Sequence, residues 1–162
     1  MNKVRHIPYF LHPSTVYVSK DPEWVTTVLG SCVAVCFFDK KRNVGGINHY
    51  MLPYWNGDGL EFPKYGNVAI LHLFQKMLES GAKKEDMVCK IFGGAEVFSE
   101  NHSVFSVGQR NIELANKMVA ELGIPIVSSS TGGKQGRKIL YNTGTGEVLQ
   151  KYLVKITQNN SK

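Results

Sequence analysis

Cysteine is scarce in this 162-residue chain: there are three, Cys32, Cys36 and Cys89. An odd, small number argues against a disulfide framework and fits a reducing compartment in which a thiol stays free. Long hydrophobic runs are lacking too. None approaches the roughly 18 residues needed to cross a bilayer. The opening MNKVRHIPYF has no apolar core followed by a small-residue cleavage site, so no signal peptide is predicted. The expectation is a cytoplasmic protein with no direct membrane insertion. Repeats, low-complexity stretches and shifts of composition are also absent. That predicts a single domain over 1–162.

The net charge of +6 is spread along the chain. Its clusters, Lys40-Lys41-Arg42, Lys83-Lys84 and Lys134 to Lys138, are short and carry no interleaved aromatics, which argues against nucleic-acid binding. A metal site lacks its second pair: Cys32 and Cys36 are spaced C-x₃-C, while His6, His12, His72 and His102 are scattered. No cofactor is implied. The run Thr131 to Lys138 has the composition of a phosphate loop without its spacing. It reads as a turn shaping a rim, with Arg137 or Lys138 at the surface.

What is present is patterned for a layered α/β or α+β domain. Trp24 to Leu29 is β-branched and reads as a strand. Cys32 to Phe38, CVAVCFF, reads as a buried strand, Asp39 to Asn43 as a turn, and Val44 to Leu52 as the returning strand, with Gly45-Gly46 a bulge site. Asn67 to Ser80 has a helical apolar stripe with Asn67 as its cap, and Gly81 follows. Met87 to Phe92 is a strand. Gln109 to Leu122 is a second helix, its inward face Ile112, Ala115, Met118, Val119 and Leu122, ended by Gly123 and Pro125. Ile124 to Ser128 is a strand, and Ile139 to Tyr141 with Val148 to Ile156 forms a closing hairpin.

The chemistry centres on Cys32. A thiol attacks carbonyl carbon well as a thiolate, and an ordinary cysteine needs a base to reach that state. His49 is the nearest candidate. With a four-residue loop at Asp39 to Arg42, Phe38 pairs with Asn43, and Cys32 falls opposite His49 on one face of the hairpin. A slip of one residue would separate them. Gly30 and Ser31 give a substrate backbone close access, and amides near Cys32 suit an oxyanion. Thr26 and Thr27, on the adjacent strand, both offer a group to orient the imidazole. The bland alternatives are packing for the cysteines, which are commonly buried, and a structural role for a strand histidine.

Several stretches in order resemble the CheD family of chemoreceptor glutamine deamidases: Leu29 to Cys36, Gly45 to Pro53, Lys64 to Ala69, Lys90 to Ala95, Gly108 to Asn111, Leu122 to Val127 and Gly132 to Arg137. The likeness is collinear from about Val16 to Ile156. It implies a layered α/β sandwich with mixed β-sheets and two main helices, similar to toxin deamidase domains. It implies hydrolysis of glutamine side chains on the cytoplasmic helices of methyl-accepting chemotaxis receptors. It implies Cys32 as nucleophile, His49 as base and Thr26 as the third catalytic residue. A CheC-like phosphatase is the second implied partner. The alternative is a non-catalytic adaptor that binds and stimulates such a phosphatase.

Overall fold

The computed structural model describes residues 7–96 and 106–154. Nine strands and two long helices are described, in two sheets. The first sheet has the order β1-β3-β8-β9, made by Tyr9–Phe10, Trp24–Leu29, Arg137–Asn142 and Val148–Tyr152. The second has the order β2-β5-β4-β6-β7, made by Thr15–Ser19, Val44–His49, Val33–Asp39, Met87–Gly93 and Ile126–Thr131. Both sheets are mixed: β1 lies parallel to β3 and β7 parallel to β6, while the other neighbours are antiparallel. Helices α1 (Gly66–Glu79) and α2 (Val107–Leu122) complete the fold. This is the layered α/β sandwich with mixed sheets and two main helices that the family resemblance implies.

Two apolar layers hold it together. Val33, Val35, Phe37 and Ile91 of the five-stranded sheet pack with Ile70, Leu73 and Met77 of α1 and Ala115 and Val119 of α2. Ala34, Cys36 and Ile47, on the other face of the same sheet, pack with Val25, Leu29, Ile139 and Tyr141 of the four-stranded sheet. Strand β4 is thus covered on both sides. That is why CVAVCFF is continuously apolar instead of alternating.

Helix α2 follows the sequence expectation at its C-terminus, where Gly123 adopts the left-handed conformation that closes a helix. Its start differs. Ser106 is the cap, its hydroxyl accepting from the Gln109 amide, and the helix begins at Val107. Ile112, Met118 and Leu122 pack against the core as expected, with Gly108, Asn111 and Leu114 buried beside them. Helix α1 begins at Gly66 without a side-chain cap; Asn67 instead accepts from the Trp55 amide with its side-chain oxygen.

Strands β1, of two residues, and β2, of five, lie outside the strands the sequence predicts. Strand β7 starts two residues later than expected, at Ile126. The hairpin from β8 to β9 is present, but Lys155 and Ile156 lie outside the described residues.

Gly45 and Gly46 mark no bulge. They pair in continuous register with Phe38 and Phe37. A Cβ at Gly46 would sit 2.8 Å from Leu73, and one at Gly45 2.5 Å from the Thr143 carbonyl. The two glycines let β5 approach a helix on one side and the facing sheet on the other. The bulge that does occur lies in β6, between Cys89 and Lys90.

Candidate active site

The turn between β4 and β5 sets the geometry of the site. Asp39 is buried, and its carboxylate accepts from the amides of Lys41, Arg42 and Lys83 and from the Arg42 guanidinium. Burial opposes the ionised form, but these donors outweigh it and hold the carboxyl below its ordinary pKa. Asp39 is therefore the last residue of the ladder, not the first of the loop. It pairs with Val44, and Asn43 closes the turn at φ 55°. The register is thereby two residues away from the one that places Cys32 directly opposite His49. Val33 pairs with Tyr50, which puts Ala34 opposite His49. A shift of two keeps the face. Cys32 and His49 become diagonal neighbours on the side that meets the four-stranded sheet, a spacing of roughly 7–8 Å or less.

The third group comes from across the sandwich. Strand β3 does not extend the β4–β5 hairpin; it belongs to the other sheet and faces it. Odd residues of β3 point inward, so Thr27 is fully buried and its Oγ1 lies 2.7 Å from His49 Nδ1. Thr26 points the other way. Its hydroxyl donates to the Ile139 carbonyl, and it does not reach the ring. The family resemblance selects Thr26, but the alternation of side chains along β3 gives the contact to Thr27.

The proton on the imidazole follows from counting donors. The Thr27 hydroxyl has one hydrogen and two partners, His49 Nδ1 and the Leu11 carbonyl, 2.9 Å away. The carbonyl can only accept, so Thr27 donates to Leu11 and His49 Nδ1–H donates to Thr27. The ring is then neutral, with its lone pair on Nε2. That atom is buried and has no hydrogen-bond partner among the described residues.

Both titrating groups rest uncharged. Burial pushes His49 down to about 4, and burial pushes the Cys32 thiol up, opposed by the nearby Cys32 backbone N–H. The pair therefore rests as thiol and neutral imidazole. Cys36 and Cys89 are free and fully buried in the two apolar layers, their thiols also raised by burial. They pack, as expected.

Two further residues hold the site, and neither stood out in the sequence as a site residue. Asn111 of α2 is fully buried. Its Nδ2 donates to the carbonyls of Ser31 (2.9 Å) and Met51 (3.0 Å), tying the residue before Cys32 to the segment after His49. Tyr50 in turn donates its hydroxyl to the Asn111 carbonyl at 2.6 Å.

The loop after β6 closes from the other side: the Gly94 amide donates to the Cys32 carbonyl and Ala95 to that of Gly30. Gly93 has φ 106°, and a Cβ there would lie 2.2 Å from the Cys32 carbonyl oxygen. Arg137 is not on the surface. It is 2% exposed and donates to the carbonyls of Gly93 and Gly132, while Lys138 alone is exposed. No cluster of three or more metal-binding side chains occurs among the described residues. No helix among them is long and apolar enough to cross a membrane.

Comparison with known proteins agrees with the sequence pattern. The family model described as CheD chemotactic sensory transduction matches residues 51–152. A protein of Trichlorobacter lovleyi named probable chemoreceptor glutamine deamidase CheD is 49% identical over 141 residues, covering 87% of this chain and 88% of the relative. The protein of that name from Sulfurimonas denitrificans is 46% identical, covering 90% and 94%. That from Methanococcus maripaludis is 39% identical, covering 82% and 86%. A solved structure, the hypothetical protein YfiH of Bacillus licheniformis, overlays with a TM-score of 0.43 at 13% identity, over 82% of this chain and 62% of that one. That likeness is too slight to bear on function. The ordered motifs, the family model and relatives matched along nearly their whole length lead to one statement: this chain belongs to the CheD family.

Proposed function

We propose that this chain is a protein-glutamine deamidase acting on chemoreceptors, with Cys32 as nucleophile and His49 as its general base. The observation that carries this reading is the hydrogen bond from His49 Nδ1 to Thr27. It fixes the tautomer that leaves a basic Nε2 on the face shared with Cys32. The names of the relatives supply the substrate class.

The reaction proceeds by acyl transfer. His49 Nε2 takes the thiol proton as the Cys32 sulfur bonds to the glutamine Cδ, and the carbonyl electron pair moves onto oxygen. The Cys32 N–H lies beside the sulfur and supplies a backbone donor for that oxyanion. Collapse breaks the C–N bond, and ammonia leaves with the proton from Nε2. Water then attacks the thioester and gives a proton to His49. The C–S bond breaks, and Cys32 regains its proton as glutamate is released. Because the resting pair is neutral, the proton moves as the substrate is attacked. Thr27 steadies the imidazolium that forms, with its hydroxyl held by Leu11.

The test is mass measurement on chemoreceptor cytoplasmic fragments. Deamidation adds about one dalton to an unbroken chain, because NH is exchanged for O in the acyl transfer. Wild-type protein is expected to produce that shift, and Cys32→Ala and His49→Ala to lose it while staying folded. Full activity in Cys32→Ala would overturn the assignment. The resemblance also supports a CheC-like phosphatase as a binding partner. Titration of the Cys32→Ala protein into a CheC phosphatase assay tests that association apart from deamidation.

A further inference from the structure

Among the described residues, the four-stranded sheet is covered on one face only. Its outer face alternates along the strands. Phe10 of β1, Val28 of β3 and Leu149 of β9 are 47%, 43% and 49% exposed, and Leu140 of β8 is half-buried among them. A groove of about 300 Å³ runs between Pro8, Leu140 and Leu149. A second cavity of about 240 Å³ is lined by Val28, Gly30, Lys134 and Val154.

The charge on this sheet has one sign. Its four strands contain no Asp or Glu and three basic residues, Arg137, Lys138 and Lys151. Arg137 points inward. Lys138 and Lys151 are exposed and are direct cross-strand partners. Like charges placed opposite one another are unfavourable. Neither lysine has an ion-pair partner among the described residues. An apolar face bearing an unneutralised cation pair lacks an acidic counterpart.

We propose that this outer face docks an acidic amphipathic helix of the substrate protein. The identity of the partner rests on the deamidase reading; the chemistry of the surface does not. The helix lays its apolar stripe over Leu140, Leu149 and Val28 and sets carboxylates beside Lys138 and Lys151. Val28 faces outward on β3 while Thr27 faces His49, so this docking surface lies across the sheet from the imidazole and acts on affinity for the partner.

Charge selects this occupant over the others. Residues 1–6 carry Lys3 and Arg5, residues 155–162 carry Lys155 and Lys162, and neither segment has an acidic residue. A second copy related by a two-fold axis would set lysine pair against lysine pair. An anionic membrane is recognised by clusters of about four to eight basic residues, and this face carries two.

The experiment measures binding by fluorescence anisotropy with Cys32→Ala protein, so that no turnover occurs. Two probes are used: a chemoreceptor cytoplasmic fragment, and a synthetic glutamate-rich amphipathic helical peptide without glutamine. Both are expected to bind, and the charge reversal Lys138→Glu/Lys151→Glu to weaken each at least about tenfold. The neutral Lys138→Gln/Lys151→Gln protein weakens them by a smaller factor and guards against misfolding, with melting curves as the check. Raising salt from about 50 to 300 mM weakens wild-type binding severalfold and the reversed variant less. With active enzyme, the reversal raises KM for the receptor fragment; a fall in kcat at unaltered KM overturns the docking surface. So does unchanged affinity for the peptide, or binding to phosphatidylserine vesicles in place of it. If the peptide binds through the two lysines and no receptor glutamine is deamidated, the surface stands and the deamidase reading falls.

Discussion

Thr27 and His49 meet across the two sheets of the sandwich, hydroxyl to Nδ1 at 2.7 Å. Twenty-two residues separate them in the chain, and no ladder joins their strands. Because the Thr27 hydroxyl is already donated to Leu11, the contact dictates which ring nitrogen is basic. The first expectation follows. Thr27→Val removes the acceptor for Nδ1–H and lowers kcat by roughly ten- to a hundredfold, with a smaller effect on KM. Thr26→Val loses only its bond to Ile139 and keeps kcat within about threefold. Steady-state ammonia release from a receptor fragment distinguishes the two, and equal losses would remove Thr27 from its role.

Alkylation reports the resting state of the thiol. Burial raises the Cys32 thiol above its ordinary value and holds His49 near 4, so free enzyme carries no thiolate–imidazolium pair at neutral pH. Iodoacetamide modification of Cys32 is expected to be slow at neutral pH and to rise only in the alkaline range. A fast plateau extending to mildly acid pH would reveal a preformed ion pair instead.

The same histidine links pH to stability. Its folded pKa, about 4, lies below the ordinary unfolded value of about 6.5. Between these values the unfolded chain binds more protons than the folded one, so stability rises with pH across that window. The contribution is fully present above about 6.5, is lost as pH falls toward 4, and amounts to on the order of 3 kcal/mol. Denaturant midpoints measured from pH 7 to pH 4 should fall in wild type and fall less in His49→Gln. Parallel curves would show that the ring is not buried as a neutral base.

Asn111 makes a prediction about positioning. Its amide group holds Ser31 and Met51 together. Asn111→Leu leaves those two carbonyls without their donors in a buried place, each costing about 1–3 kcal/mol at most. The melting temperature drops, and kcat falls by roughly tenfold or more because the thiol and imidazole lose their common anchor. A purely structural residue would change melting without changing the kcat of the folded fraction, so activity per folded molecule decides the point.

Gly93 is expected to tolerate no side chain. Alanine there meets the Cys32 carbonyl at 2.2 Å and must keep φ at 106°. Gly93→Ala should lower both melting temperature and activity, whereas Gly133→Ala, with φ 76° but open space around it, should affect melting alone and more weakly. Thermal unfolding monitored beside ammonia release compares them.

Much of this protein was determined by sequence alone. The continuous apolar run from Cys32 to Phe38 announced a buried strand. The stripes around Ile70 and Ala115 announced helices, and Gly123 with Pro125 announced where the second one ends. The pairing of Cys32 with His49 was visible as a hairpin across Asp39 to Asn43, correct in face though two residues off in register. The shift came from the Asp39 side chain, which binds the loop amides and moves itself into the ladder. Local pattern does not reveal whether an aspartate at a turn opens the loop or closes the strand.

What only the tertiary structure decided lies in contacts across layers. Neighbouring threonines on one strand point to opposite faces, and nothing local says which face is covered by the sheet that holds His49. Asn111 reads as a polar residue on a helix until α2 packs against Ser31 and Met51. Arg137 reads as a rim residue in a basic cluster until β8 turns it inward onto Gly93. Periodicity in a sequence identifies elements and their buried sides, because burial repeats with the period of the helix or strand. It does not specify which residue of another element lies opposite, because that distance is closed by packing. Here Thr27, Asn111 and Arg137 took their places by that route.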